Sequence, residues 1–389
     1  MRVVFYTHPH LLEPALLLTR EMSRLTEFHL VLEMSPDAWS ACFSATPTRR
    51  TGGVMPADPI LGPCVPSTIR RYWQEAASFS LVVYPHRRAL HWSSLPVSRA
   101  AARFLGGLRP DLLHVDDVSL RLALAYRALP RIDWLSVHDP EVHGGEENWR
   151  RDVARWLTFK KARRFVLHNR AQVEPFCTRY RVNGERVGVS RLGVYSVFRE
   201  WIAAPVSEEP LTVLFFGRTS RYKGLDVLYR AMPAVAARVP GVRLIVAGGR
   251  AFGYRPPDPP ALPSGGRIDV IDRYVPPAEL AVLMRRASVI VCPYTDATQS
   301  GVVLTAYAFG KPVIATRVGG LPEYVRDGET GVIVRPRDPG DLAAAIARVL
   351  ADGELRRALA AGVERATAGD LSWAARARDL LRLYETVRS

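Results

Sequence analysis

Short apolar runs alternate with stretches of helical period along most of the chain. Residues 3–6 form a strand-like run, and 13–25 follow with Leu16, Leu17, Leu18, Met22 and Leu25 spaced for one helix face. Residues 28–33, 81–84, 112–115 and 134–137 read as further strands and 120–129 as a helix. Residues 36–66 are rich in Pro, Ser and Thr without clear period and read as loops. The polar, Pro-bearing segment 201–210 then leads into a second series. Its strands are expected at 211–216, 242–247, 268–271, 289–291, 312–315 and 331–334, with helices at 224–238, 278–286, 302–309 and 342–350. Strands alternating with helices at this pace predict βαβ units and parallel sheets. The expected fold class is α/β, with two doubly wound Rossmann-like domains and a cleft between them. The expected domains are 1–200 and 201–370, with a closing helix at 371–389.

The length of 389 residues agrees with two or three domains. Hydrophobic content of 48% and charged content of 23% exclude a disordered or fibrous chain. Apolar runs fall short of the roughly 18 residues a membrane helix needs. Cys42, Cys64, Cys177 and Cys292 are far apart, which argues against a disulfide scaffold or a cysteine zinc site. The opening MRVVFYTHPH reads as a first strand, not a signal peptide, and the expected compartment is a reducing cytoplasm. The net charge is +15, from 53 Lys+Arg against 38 Asp+Glu. Such a balance favours anionic partners, or reflects a coding bias towards Arg and Ala. No helix-turn-helix, zinc-finger or RNP pattern accompanies it, so nucleic acid is not an expected partner.

Candidate chemistry gathers at three places. Phe215-Phe216-Gly217-Arg218 ends a strand, and Tyr222-Lys223-Gly224 opens a helix. Arg218 offers a planar fork and Lys223 a point charge to phosphate oxygens, beside the N–H groups of a helix start. A solvated basic loop is the alternative. Thr298-Gln299-Ser300-Gly301-Val302 places a capping serine and a glycine at a second helix start, and Gly319-Gly320-Leu321-Pro322-Glu323 forms a Gly-bearing turn nearby. His138-Asp139-Pro140 follows a strand, where a histidine faces a ligand or merely caps a loop. His143 and Glu146 extend it to a weak zinc-like spacing, although no metal is expected.

In this order the pieces resemble the GT-B glycosyltransferases, and among them the large retaining family 4. The resemblance is carried by FFGRTSRYKGLDVL, VRLIVAGG, the turn Arg273-Tyr274-Val275 and the long string from SGVVLTAYAFGKPVIATRVGG to AAAI. The first half is similar only in layout, and the resemblance implies that the closing helix at 371–389 packs back on the first domain. The resemblance implies a nucleotide-diphosphate sugar donor held mainly by the second domain. Gly217, Arg218 and Lys223 would hold the diphosphate, and Arg273, Tyr274 and Val275 would form the base-contacting turn. Gly301 and Val302 would present backbone N–H groups to phosphate or sugar, with Ser300 also on the donor side, over a floor supported by Glu323. His138 would touch the transferred sugar, making His138, Arg218 and Lys223 the catalytic set. Asp139, His10 and Glu13 fall on the acceptor side. The family's two glutamates, eight residues apart, correspond to Ala297 and Thr305; Asp296 and Gln299 flank the first position as candidate replacements, and at the second the Thr305 hydroxyl is left as a weaker ribose contact. No cofactor or metal is implied.

The implied activity is retaining transfer to a hydroxyl of a saccharide or lipid-linked saccharide in cell-surface polysaccharide or glycolipid synthesis. The alternatives are transfer to a soluble small molecule and a non-catalytic nucleotide-sugar-binding relative. One further segment bears on partners. Residues 149–164 set Trp149, Val153, Trp156 and Phe159 at helical spacing among cations. Either the stripe packs into the first domain, or the helix lies on an anionic membrane and makes the protein peripheral there.

Overall fold

The structure, a computed structural model, describes residues 1–42, 52–140, 149–202 and 204–386. The chain forms two compact units: Met1–Pro140, Glu147–Leu192 and Trp373–Ser389 make unit 1, and Gly193–Ser372 makes unit 2.

Unit 1 is built on β1 (Arg2–Thr7), β2 (Glu27–Met34), β3 (Gly53–Pro56), β4 (Ser78–Val83), β5 (Leu112–Asp116), β6 (Ile132–Ser136), β7 (Ala162–Leu167) and β8 (Val187–Val189). Among the described residues they form one sheet in the order β3-β4-β2-β1-β5-β6-β7-β8, parallel except for the edge strand β3. Its core joins strand residues such as Val4, Leu113 and Leu135 to Val97, Ala101 and Leu105 of helix α1 (Ser94–Gly107). Covered faces on both sides explain why these strands are apolar runs and not alternating ones.

Unit 2 carries β9 (Thr212–Phe216), β10 (Arg243–Ala247), β11 (Arg267–Ile271), β12 (Val289–Cys292), β13 (Val313–Thr316) and β14 (Gly331–Val334) in the order β11-β10-β9-β12-β13-β14, all parallel. Helices α2 (Leu225–Arg238) and α3 (Pro339–Ala351) pack over it through Leu228, Met232, Ile346 and Val349. Unit 2 begins before the expected boundary at 201. Tyr195 N–H donates to Leu304 O, Lys311 pairs with Glu208 at 2.6 Å and Arg286 with Glu209 at 2.7 Å, so the expected linker is tied into this unit.

The last helix, α4 (Trp373–Glu385), belongs to unit 1. It buries Trp373, Ala377, Leu380 and Tyr384 along one face. Several elements differ from expectation. The loop-like stretch contains helical segments at Pro36–Cys42 and Asp58–Leu61 as well as β3, all too short to show a period. The helical pattern expected to run to residue 164 stops at Lys161, and β7 starts at Ala162 with no Gly or Pro to mark the change. The helix expected over 120–129 is regular only through Leu120–Ala123. Among the described residues no helix is long and apolar enough to cross a membrane.

Candidate functional site

In a doubly wound sheet the crevice opens where successive connections leave in opposite directions. In unit 2 that point lies between β9 and β12, because the chain runs from β9 outward to β10 and β11 and then returns to the other side of β9. The residues after these two strands meet there. Lys223 Nζ donates to the Tyr294 hydroxyl at 3.0 Å and sits 4.7 Å from the centre of that ring. The Tyr294 and Ser300 hydroxyls lie 3.4 Å apart. Burial holds the Tyr294 phenol far above its ordinary pKa, so it stays a neutral partner for the ammonium. Gly217 has a φ of 111°, and a side chain there would meet Lys223 Nζ at 3.1 Å and Val302 at 3.4 Å. The glycine thus keeps an opening above Lys223 and beside the start of helix α5 (Gly301–Ala308). Arg218 follows on the exposed side.

The second glycine turn is knitted to the same place. Gly320 N–H donates to Thr298 O at 3.2 Å. Gly319 has a φ of 47°, and a Cβ on it would fall 1.6 Å from the Ala297 carbonyl oxygen. Gly319→Ala is therefore expected to unfold or displace the 297–300 loop, because neither the backbone conformation nor the space tolerates a methyl group. A lowered melting temperature together with lost nucleotide affinity is the expected reading. A variant that melts and binds like the parent would contradict the close approach.

Other expected residues sit differently. Thr305 is 2% exposed, and its hydroxyl donates to Gly301 O at 2.8 Å. Its proton is committed to the helix backbone, so only its oxygen lone pairs suit a ribose contact. Ala297 is buried, with its backbone carbonyl at the Gly319 contact. The turn at Arg273 and Tyr274 packs against Gly249, but the Arg273 guanidinium is held by Glu279 through two 2.8 Å bonds. Tyr274 is exposed and Val275 buried, which leaves the tyrosine ring as the accessible face of the turn. Glu323 is half-buried in the short helix Leu321–Tyr324. Tyr195, which sequence reasoning missed, lies over Gly301: a side chain on that glycine would meet its ring at 3.1 Å.

Unit 1 has its own switch point between β1 and β5. Thr7 donates to Asp116 Oδ2 at 2.8 Å, and His8 Nε2 lies 3.3 Å from Asp117 O. His138, after β6, places Nε2 2.7 Å from Asp116 Oδ1. Both groups are buried. Burial opposes charge on each, yet the two hold one another ionised: Asp116 lies well below the usual carboxylate range and His138 above the usual imidazole value. The His168 ring is 4.3 Å from that of His138, and its Nδ1 lies 2.8 Å from Ser190 O. Burial and the His138 charge push His168 down to about 3. A cavity of about 30 Å³ adjoins the group, room for about one water. Asp116, His138 and His168 each offer a ligand atom within 4.8 Å of the others. Asp116 already spends one oxygen on His138 and the other on Thr7, which favours an ion pair over a metal centre.

His10 is exposed and stacks on His8 with centroids 5.5 Å apart. Glu13, half-buried, has its carboxyl pushed up to about 7 by burial. Asp139 is half-buried, with its carbonyl accepting from Arg155. His143 and Glu146 lie outside the described residues. Asp116 was missed in sequence because its partners are 109 and 22 positions away.

Comparison with solved structures decides the fold. Over 99% of this chain and 100% of its own, the Anabaena protein HepE, solved with UDP and glucose, superposes with a TM-score of 0.66 at 15% identity. Sucrose-phosphate synthase from Thermosynechococcus elongatus does so with a TM-score of 0.64 at 18% identity, over 100% of this chain and 99% of its own. The chain has the GT-B fold. Within its GT-B architecture, residues 210–352 match the sequence profile of the family Glycosyl transferases group 1. The D-inositol 3-phosphate glycosyltransferase of Segniliparus rotundus is 37% identical over 207 residues, 52% of this chain and 45% of that protein. The protein of the same name from Actinosynnema mirum is 36% identical over 193 residues, 47% and 46% of the two chains. The match thus spans less than half the length of either relative. The matched profile covers every donor-side candidate from Gly217 to Glu323, and His10, Glu13, His138 and Asp139 fall outside it.

Proposed function

We propose that the protein is a glycosyltransferase that moves a sugar from a nucleotide diphosphate to an acceptor hydroxyl, with retention at the anomeric carbon. The observation that carries this reading is Lys223 at the β9–β12 switch point, beneath the opening left by Gly217 and beside the start of α5. An ammonium and helix-start N–H groups facing one opening suit a diphosphate. Arg218 adds a second cation from the rim.

In the proposed reaction the bond between the anomeric carbon and the phosphate oxygen breaks. The acceptor oxygen forms its bond on the same face, and its proton passes to the departing diphosphate. Lys223, Arg218 and the backbone of Gly301 and Val302 stabilise the charge that develops on the leaving group. His138, held by Asp116, is the candidate contact to the transferred sugar, and Glu13, His10 and Asp139 are candidates for the acceptor. Two cations supply the charge a metal would supply, so chelation is expected to leave turnover unchanged.

The acceptor we favour is a saccharide or lipid-linked saccharide of the cell surface. A second reading, a soluble polyol phosphate, is favoured by the name of the curated relatives. Calorimetry with UDP and GDP tests the donor half. At a hundredfold excess over Kd, the preferred diphosphate is expected to stabilise the fold by about 2.7 kcal/mol. Diphosphate release with saccharide, glycolipid and inositol phosphate acceptors tests the rest. Donor binding without transfer to any of them would leave a binding protein, and no affinity for either diphosphate would end the donor assignment.

A further inference from the structure

Helix α6 (Trp149–Lys161) divides an aromatic stripe that its spacing had presented as one. Phe159 turns inward, with its ring centre 5.0 Å from Phe165 and 5.1 Å from Tyr180. Ala154 and Thr158 are buried beside it. Trp149, Val153 and Trp156 face outward, 63%, 43% and 59% exposed. Spacings of four and three residues put them on one face of the helix. Lys160 continues that face, with Nζ 3.4 Å from the centre of the Trp156 ring. Single exposed apolar side chains are ordinary, whereas a contiguous row of this kind marks a contact surface.

The row borders a groove. A cavity of about 580 Å³ is lined by Trp156 and Lys160 of α6, by Arg179 and Arg181, and by Arg186, with Asp152 as the acid among its lining residues. Arg186 gives hydrogen bonds to the carbonyls of Ala162 and Arg163 and leans over Phe165 at 5.3 Å. Arg179 lies 5.6 Å from the Tyr180 ring centre. Trp156 and Lys160 belong to both the row and the groove, so apolar and cationic surfaces adjoin.

We propose that this face of unit 1 docks on an anionic phospholipid bilayer. The groove cations take head-group phosphates, and Trp149, Val153 and Trp156 enter the boundary between head groups and acyl chains. Tryptophan suits that boundary because its ring is apolar and its N–H polar. A single-stranded nucleic acid would use the cations and the two indoles, but Val153 between them offers no stacking surface. A second copy of this chain would have to set cations against cations. The proposal goes beyond the donor reading and uses none of its residues.

The test uses the full chain, sedimented with vesicles of phosphatidylcholine alone or mixed with phosphatidylglycerol. The wild-type protein is expected to pellet with the anionic vesicles at low salt, to leave them at high salt, and to show blue-shifted tryptophan emission on them. Lys160→Glu with Arg181→Glu is expected to lower vesicle partition by more than about tenfold, since each cation near an anionic surface contributes severalfold. Trp149→Ser with Trp156→Ser is expected to abolish the emission shift and weaken binding, with UDP affinity unchanged in both variants. Wild-type protein left in the supernatant at low salt would overturn the proposal, as would equal pelleting of both variants. So would preferred binding of single-stranded RNA, or a dimer that dissociates in the tryptophan variant. The wild-type salt and emission data decide the matter even if a variant misfolds.

Discussion

Lys223→Ala is expected to weaken nucleoside diphosphate binding by roughly ten- to a hundredfold, the range set by a charge-assisted hydrogen bond of about 1.5–3 kcal/mol. Turnover should fall with it, because the same charge stabilises the departing diphosphate in the proposed reaction. Lys223→Arg is expected to recover little. A planar guanidinium does not reproduce a compact ammonium that donates to the Tyr294 hydroxyl at 3.0 Å and lies 4.7 Å from the centre of the same ring. Calorimetry with UDP and GDP on both variants checks this, with circular dichroism to confirm the fold. Unchanged affinity in Lys223→Ala would remove the lysine from the donor site and would leave Arg218 and the helix start to hold the phosphates.

Asp116→Asn should produce the second large effect, in unit 1. Breaking a buried ion pair by neutralising one partner typically costs about 3–5 kcal/mol. Its pH dependence follows from the two shifts. Asp116 is depressed, so its contribution is present above the ordinary aspartate pKa of about 3.9 and is lost as pH falls through its lower folded value. His138 is raised, so its contribution is complete below the ordinary histidine pKa of about 6.5 and is lost as pH rises through its higher folded value. The gap in unfolding free energy between parent and variant should therefore be widest between those two ordinary values. It should narrow on the alkaline side as His138 loses its proton. Urea titrations across that range measure it, and a gap that grew steadily with pH would show that His138 is neutral in the folded chain.

Much of the architecture was legible because parallel strands covered on both faces are written as apolar runs, as in Val213-Leu214-Phe215 and Val313-Ile314-Ala315. Gly217 and Lys223 were legible for a related reason: a glycine after such a run and a cation before a helix are local signals. What escaped was non-local or too short. Asp116 looks like any strand-end acid until Thr7 and His138 are brought to it across three strands. Tyr294 and Tyr195 carry no local mark of their role, since one matters through Lys223 and the other through Gly301. Thr305 was visible, but the commitment of its proton to Gly301 depends on the helix actually formed. The outward turn of Trp149 and Trp156 was equally hidden, because the spacing of an aromatic stripe does not say which side of it meets the sheet.

The tie between His114 Nδ1 and the Tyr384 hydroxyl, 2.6 Å long, joins positions 270 residues apart. It bears on the order in which the polypeptide leaves the ribosome. Strands β1 to β8 are translated first, all of unit 2 next, and α4 afterwards. At about 5–20 residues per second, the face that α4 covers waits on the order of ten seconds for its partner. Throughout that interval the His114 ring and the Trp134 indole beside it lack the tyrosine that shields them in the finished protein. A nascent chain arrested before Trp373 would therefore hold a complete second unit beside a first unit still open to chaperones and proteases.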